Sequence, residues 1–268
     1  METSELFAIA SEQILLFGAS AMRLSVAFLM LPLFANQLIP PLIRNALFLA
    51  LSLMAFVLQP TLDISALQGH EWGVLFLKEA FVGVTIGFFF GIFVWAFEAA
   101  GEIIDTMIGA SAAMLFDPLS GHQVTPIGEF IGRWINYVFL AAGGLLFLTT
   151  AVLESYVIWP LTENLPNLRM ASVVLFEREI STFMRLMLTL ISPILVIIMI
   201  IDISLGMLNR FSQRLNVFFI SISIKGLAAV FVLALLIPIL IGVLERELNA
   251  HRNSIDGMLN EVLQMPER

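Results

Sequence analysis

The sequence predicts an all-α, polytopic membrane protein of long helical hairpins, and three observations carry that expectation. Of its 268 residues 59% are hydrophobic, with a mean hydropathy of +0.97, well above the apolar share of a soluble domain. Uncharged runs of 18 to 20 residues occur at Ala80–Phe97, Trp134–Leu153 and Gly226–Leu244. Each is long enough as a helix to cross a hydrocarbon core of roughly 30 Å. Between the apolar runs Leu186–Ile201 and Gly226–Leu244 lies a polar stretch, Asp202–Lys225. Ionisable groups are costly at bilayer depth, so its Asp202, Arg210, Arg214 and Lys225 belong at a turn, inside protein or beside water.

Taken in order, the first helix is expected from about Glu12 to Asn36, with Pro32 inside its last turns and Pro40-Pro41 ending it. A second runs from Pro41 to about Leu58, followed by a polar connection containing Pro60, Asp63, Gly69, His70 and Glu71. From Trp72 to about Ala110 the pattern is helical, with Gly83, Gly87 and Gly91 at i, i+4, i+8 on one face. Small residues at that spacing admit a second helix at close range, from this chain or from another subunit. On the same helix Glu98, Glu102 and Asp105 fall at i, i+4, i+7 and form one carboxylate stripe. A water-facing helix end, a wet conduit lining, a partner contact and a proton relay or metal site all fit the stripe, the last least because no histidine lies nearby.

The segment Gly109–Gly121 joins small residues to Met114, Leu115 and Phe116 and then to the breaker Asp117-Pro118. Backbone that leaves helical geometry among membrane segments must be buried by protein or wetted by a cavity, so a connecting loop and a constriction or plug are both admissible. Pro126 opens a helix that carries the i, i+4 pair Glu129 and Arg133 into the run ending at Leu153. Trp134, Tyr137, Tyr156 and Trp159 bracket that run as interfacial aromatics would. Pro160 and Pro166 mark a boundary, and Val173–Ile201 and Asn216–Leu248 read as two helices of a hairpin around the polar stretch. Arg23 and Arg44 read as isolated cations that snorkel to an interface. The tail from Glu245 to Arg268 is polar, mixed in charge and partly helical by pattern.

Several function classes drop out on composition. With no cysteine, disulfides, thiolate metal sites and cysteine nucleophiles are excluded. A net charge of -8 argues against nucleic acid, and no nucleotide-binding or metalloprotease motif is present. Glu2, Glu5 and Glu12 precede the first basic residue, Arg23, the reverse of a secretory signal. Gly109-Ala-Ser111-Ala loosely resembles the Gly-x-Ser-x of rhomboid-type intramembrane proteases, whose serine needs a histidine on a facing helix. His70, His122 and His251 all fall in polar connections or the tail. A secondary transporter shares the buried charges and broken helices, but the two halves of the chain show no internal repeat. The 13 Lys and Arg residues are scattered through most connections, so charge bias does not set an orientation and some helices are expected not to span in the final assembly.

Asp202-x-x-Leu-Gly-x-x-x-Arg210, followed by Gln213-x-Leu-Asn216-Val-Phe-Phe and Lys225, resembles the signature of a type III secretion export-apparatus subunit. This is the family called SctT, YscT or SpaR in injectisomes and FliR in flagella. Arg23 with Pro32, Pro40-Pro41-x-x-Arg44, Gly101-Glu-Ile-Ile-Asp105 and Phe116-Asp-Pro118 extend the resemblance along nearly the whole chain in the family's order. Two departures stand out: Ser212-Gln213 replaces the usual Pro-Gln, and Ile222-Ser223-Ile224-Lys225 replaces the frequent Met-Pro-Ile-Lys. Both favour a more helical hairpin tip. The Asn-Val-Phe-Phe and Lys225 wording favours the injectisome branch.

The resemblance implies a non-enzymatic subunit of the export gate in the bacterial inner membrane, without cofactor or metal. Residues 1–160 would be built like the R subunit, 161–250 like the S subunit's hairpin, and 251–268 would form a tail. The implied partners are R-type and S-type subunits around a single T copy, the switch protein, the export gate ring and unfolded secreted proteins. Carried over by position, Gly109, Met114, Leu115, Phe116, Asp117 and Pro118 would belong to a channel plug. Asp202, Arg210, Arg214, Asn216 and Lys225 would hold the hairpin tip against neighbouring subunits.

Overall fold

The computed structural model describes residues 2–34, 39–57, 69–109, 125–161, 170–211 and 217–263, and every regular element among them is helical. In chain order these are α1 (Glu2–Leu29), a 3₁₀ turn (Pro32–Phe34), α2 (Pro41–Val57), α3 (Gly69–Ile108), α4 (Pro126–Ala141), α5 (Gly144–Ile158), α6 (Met170–Phe211) and α7 (Val217–Leu263). The chain is an all-α polytopic membrane protein. Three of the described helices are long and apolar enough to cross a membrane, within Glu71–Ile108, Val173–Phe211 and Val217–Val243; α4 and α5 add a fourth if they form one bent span.

Two compact units share the chain. The first takes Met1–Gly91, Gly143–Arg178 and Ala250–Arg268, the second Ile92–Ala142 and Glu179–Asn249. In the first, α1 stops at Leu29 rather than running to Asn36, and Pro32 lies outside it. Proline disfavours helical geometry in the residue before it. The chain tightens into i→i−3 bonds there, Leu31 N–H to Phe28 O and Phe34 N–H to Leu31 O, both 3.1 Å. That turn stacks Phe34 on Phe28 and Phe48 at centroid distances of 5.2 and 5.5 Å, which closes α1 onto α2. Pro41 opens α2 at a position whose N–H has no intrahelical acceptor anyway.

Gly83 and Gly87 face α1. A Cβ on Gly83 would lie 2.5 Å from Arg23 O, and one on Gly87 2.6 Å from Ala27 O. The glycine stripe therefore serves contact within this chain at these two positions; Gly91 continues it and is buried. At the far end of the unit Leu16, Ala19, Leu75 and Leu161 form a small apolar core.

The predicted helix from Pro126 to Leu153 is interrupted, and this corrects the sequence reading. Gly143 adopts φ +79°, a left-handed geometry that glycine reaches without steric penalty. It caps the chain between α4 and α5 within an uninterrupted apolar run. The polar stretch Asp202–Lys225 is corrected in the opposite sense. Asp202–Phe211 completes α6 and Val217–Lys225 begins α7, leaving only 212–216 outside the described residues.

Candidate functional site

Arg23 is not a snorkelling cation. It sits in the C-terminal third of α1 with no exposed surface, and Glu79 on α3 is equally enclosed. The Arg23 guanidinium donates from Nε to Glu79 Oε2 at 2.6 Å and from Nη2 to Glu79 Oε1 at 3.0 Å, the two-pronged geometry that suits a carboxylate best. Its remaining donors reach Ser155 Oγ and Trp159 O, each at 3.0 Å. Tyr156 stacks its ring 4.1 Å from the guanidinium carbon and donates its hydroxyl proton to Ser20 O.

Lys78 completes the cluster. It lies 3.2 Å from Glu79 Oε1 and donates to Pro160 O and Leu161 O at 3.2 and 2.7 Å. Two cations thus share one carboxylate and satisfy the Trp159, Pro160 and Leu161 carbonyls just past α5, beside a helix C-terminus whose dipole favours positive charge. Tyr156 and Trp159, expected at an interface, are buried here as part of this network. Tyr137 remains exposed.

In the second unit the carboxylate stripe divides by role. Glu102 is exposed, Glu98 is partly enclosed, and Asp105 is buried. Asp105 therefore does not face water: its carboxylate accepts from Ile127 N–H and Gly128 N–H at 3.3 and 2.8 Å. Thr125 makes no side-chain cap and Pro126 has no N–H, so a residue from α3 caps the start of α4 in their place. The two helices meet at glycines, since a Cβ on Gly101 would fall 2.6 Å from Gly128 Cα. The exposed pair Glu129–Arg133 forms as expected, at 2.9 Å.

At the hairpin, Lys225 Nζ lies 3.1 Å from Asp202 Oδ1 and donates to Met107 O at 3.1 Å. Arg210 is exposed in the last turn of α6, a favourable place for a cation. Gly109 ends α3 at φ +96°. Of the other plug and tip residues, Met114, Leu115, Phe116, Asp117, Pro118, Arg214 and Asn216 lie outside the described residues, as do Ser111 and His122.

Sequence reasoning missed Glu79, Lys78, Ser155 and Gly128. A signal existed for the first two: an arginine within an apolar helix demands a counter-charge, and Lys78-Glu79 directly precedes the uncharged run at Ala80.

The geometry defines a polytopic helical membrane protein that sets Arg23, Lys78 and Glu79 in one buried cluster and Asp105 in a helix cap. The chain belongs to the family described as bacterial export proteins, family 1, which it matches over residues 14–251. "Surface presentation of antigens protein SpaR" of Shigella flexneri is 29% identical over 235 residues, covering 87% of this chain and 89% of that protein. "Yop proteins translocation protein T" of Yersinia pestis is 30% identical over 211 residues, 77% and 80% of the two chains. "Flagellar biosynthetic protein FliR" of Bacillus subtilis is 25% identical over 242 residues, 89% and 91% of the two. The resemblance read from the motifs is borne out, and the family is that of type III secretion and flagellar export apparatus proteins.

Proposed function

We propose that this chain is a non-enzymatic subunit of the type III secretion export gate, of the injectisome branch, that helps form and close the channel through which unfolded proteins are exported. The observation that carries the reading is a family match extending over residues 14–251 rather than over one motif. The helices add support. α6 is 42 residues long, about 63 Å at 1.5 Å per residue, roughly twice the hydrocarbon thickness. The apolar windows of α6 and α7 are only 28% and 17% buried, against 72% for α3. Surfaces such as Ile203, Met207, Phe218 and Leu227 thus suit neighbouring helices as well as lipid.

In this reading one T-type copy assembles with R-type and S-type subunits inside the basal body, in the bacterial inner membrane. Residues 1–160 take the R-like place and 161–250 the S-like one. The hairpin tip, with Asp202, Arg210, Arg214, Asn216 and Lys225, meets S-type neighbours, the switch protein and the gate ring. Met114, Leu115 and Phe116 supply the apolar bulk of a plug around Gly109–Gly121, tight to ions yet yielding to an unfolded chain.

Two measurements test it. Mass spectrometry of the detergent-extracted complex should recover R-type and S-type partners; a chain that purifies alone and takes up solute would belong to a transporter. Deleting Met114–Phe116 should leave assembly largely intact and raise small-solute permeability of cells expressing the whole complex. An unchanged permeability sinks the plug assignment.

A further inference from the structure

We propose that Lys225 is a positioning residue, a strut that ties the α6–α7 hairpin to the end of α3 and so sets where the chain leaves α3 at Gly109. The inference deepens the channel reading and rests on it for its functional meaning, though not for its geometry.

The case begins with the carbonyls at the end of α3, which have no acceptor role inside the helix. Gly109 N–H lies 3.2 Å from Asp105 O and 3.1 Å from Thr106 O, closing the first two in the left-handed manner of a helix cap. Met107 O is the next, and Lys225 Nζ donates to it at 3.1 Å. The Lys225 side chain is only 11% exposed, whereas its ion-pair partner Asp202 is 50% exposed. The Lys225 stem is thus packed against protein while its ammonium reaches a carbonyl at the exposed end of α3, and the ion pair fastens the same ammonium to α6.

Apolar contacts flank the strut on both sides. A Cβ on Gly109 would lie 3.5 Å from Ile222 Cγ1, and one on Gly226 3.8 Å from Ile108 Cγ2. Ile222, Lys225 and Gly226 thus form an i, i+3, i+4 set facing one helix end. Beyond them the packing opens into a cavity of about 540 Å³ lined by Asp105, Ile108, Ile127, Ile222, Gly226 and Val230, among others. With apolar contact interrupted there, the polar tie carries more of the positional control. One turn earlier Asp105 fixes the start of α4. A shift of the hairpin is thereby passed through Lys225 to the α3 end, and through Asp105 to the residue where the chain re-enters helix.

This chain has no native cysteine, so in the chain isolated after labelling an introduced pair is the only source of doubly reacted bimane. Ile108→Cys with Gly226→Cys, in the full chain within the assembled apparatus in membranes, is treated with dibromobimane, which fluoresces strongly only when both thiols react. The expected result is a several-fold lower yield per chain after Lys225→Met and a yield near the parent's after Lys225→Arg, which keeps a cationic donor. Equal yields in the Met and parent chains, or no rescue by arginine, overturn the proposal. If the Met variant does not accumulate, Lys225→Gln is read by the same criterion. The yield does not depend on whether Gly109–Gly121 blocks a channel, so the strut and the plug fail separately.

Discussion

Glu79→Gln is expected to destabilise the assembled protein by about 3–5 kcal/mol, the range found when one partner of a buried pair is removed. The glutamine is nearly isosteric, so the loss is electrostatic. Arg23 and Lys78 remain enclosed, at 0% and 2% exposure, with no carboxylate between them. Removing both partners is a different matter. Arg23→Met with Glu79→Gln leaves only Lys78, which still donates to Pro160 O and Leu161 O, so the double substitution should cost less than the two single ones summed. Thermal unfolding of the detergent-purified complex, with chain abundance in membranes beside it, measures both effects. Additive losses, or a Glu79→Gln protein as stable as the parent, would show that the network is not a coupled lock.

A second large effect is expected where α3 crosses α1. Alanine at Gly83 sets a Cβ 2.5 Å from Arg23 O, and alanine at Gly87 sets one 2.6 Å from both Ala27 O and Met30 Cβ. The carbonyls are helical backbone, which cannot yield without moving the whole of α1, so overpacking of about 1–3 kcal/mol is expected at each site. Gly73 on the same helix provides the contrast: nothing lies within 4 Å of a Cβ there. Gly73→Ala should be neutral or stabilising by up to about 1 kcal/mol through helix propensity. Opposite signs at Gly83 and Gly73 in the same melting assay are the expected outcome, and a common sign refutes the close crossing. The lock and the crossing share Arg23, so Gly83→Ala should also be milder in a chain already carrying Glu79→Gln.

What the sequence made legible follows from the range of the forces that write it. Pro41 and Pro126 open helices as expected, because proline acts on its own backbone and that of the preceding residue. The uncharged run at Ala80–Phe97 lies within α3 and that at Gly226–Leu244 within α7. Trp134–Leu153 is equally apolar yet is cut at Gly143, since hydropathy reports the surroundings of a segment and not its φ angles. The same distinction explains Asp202–Phe211. Its polarity describes what the side chains meet, while Leu205, Met207, Leu208 and Arg210 are all good helix formers. Arg23 failed for a further reason: its carboxylate lies 56 residues away, beyond the reach of any periodicity. Asp105 likewise serves N–H groups 22 and 23 residues on, so its membership of a stripe gave no hint that it caps another helix.

The spacing of the Arg23 network also sets a timetable for biogenesis. Arg23 is synthesised 56 residues before Glu79 and 132 before Ser155. At about 5–20 residues per second the ribosome needs roughly 3–11 s to deliver the carboxylate, and longer to deliver α5. Throughout that interval α1 carries an unneutralised cation about two turns before its end at Leu29, which makes it a poor substrate for release into lipid. Burial of Arg23 therefore waits on α3, and α1 can reach its final packing only after the third helix has been made.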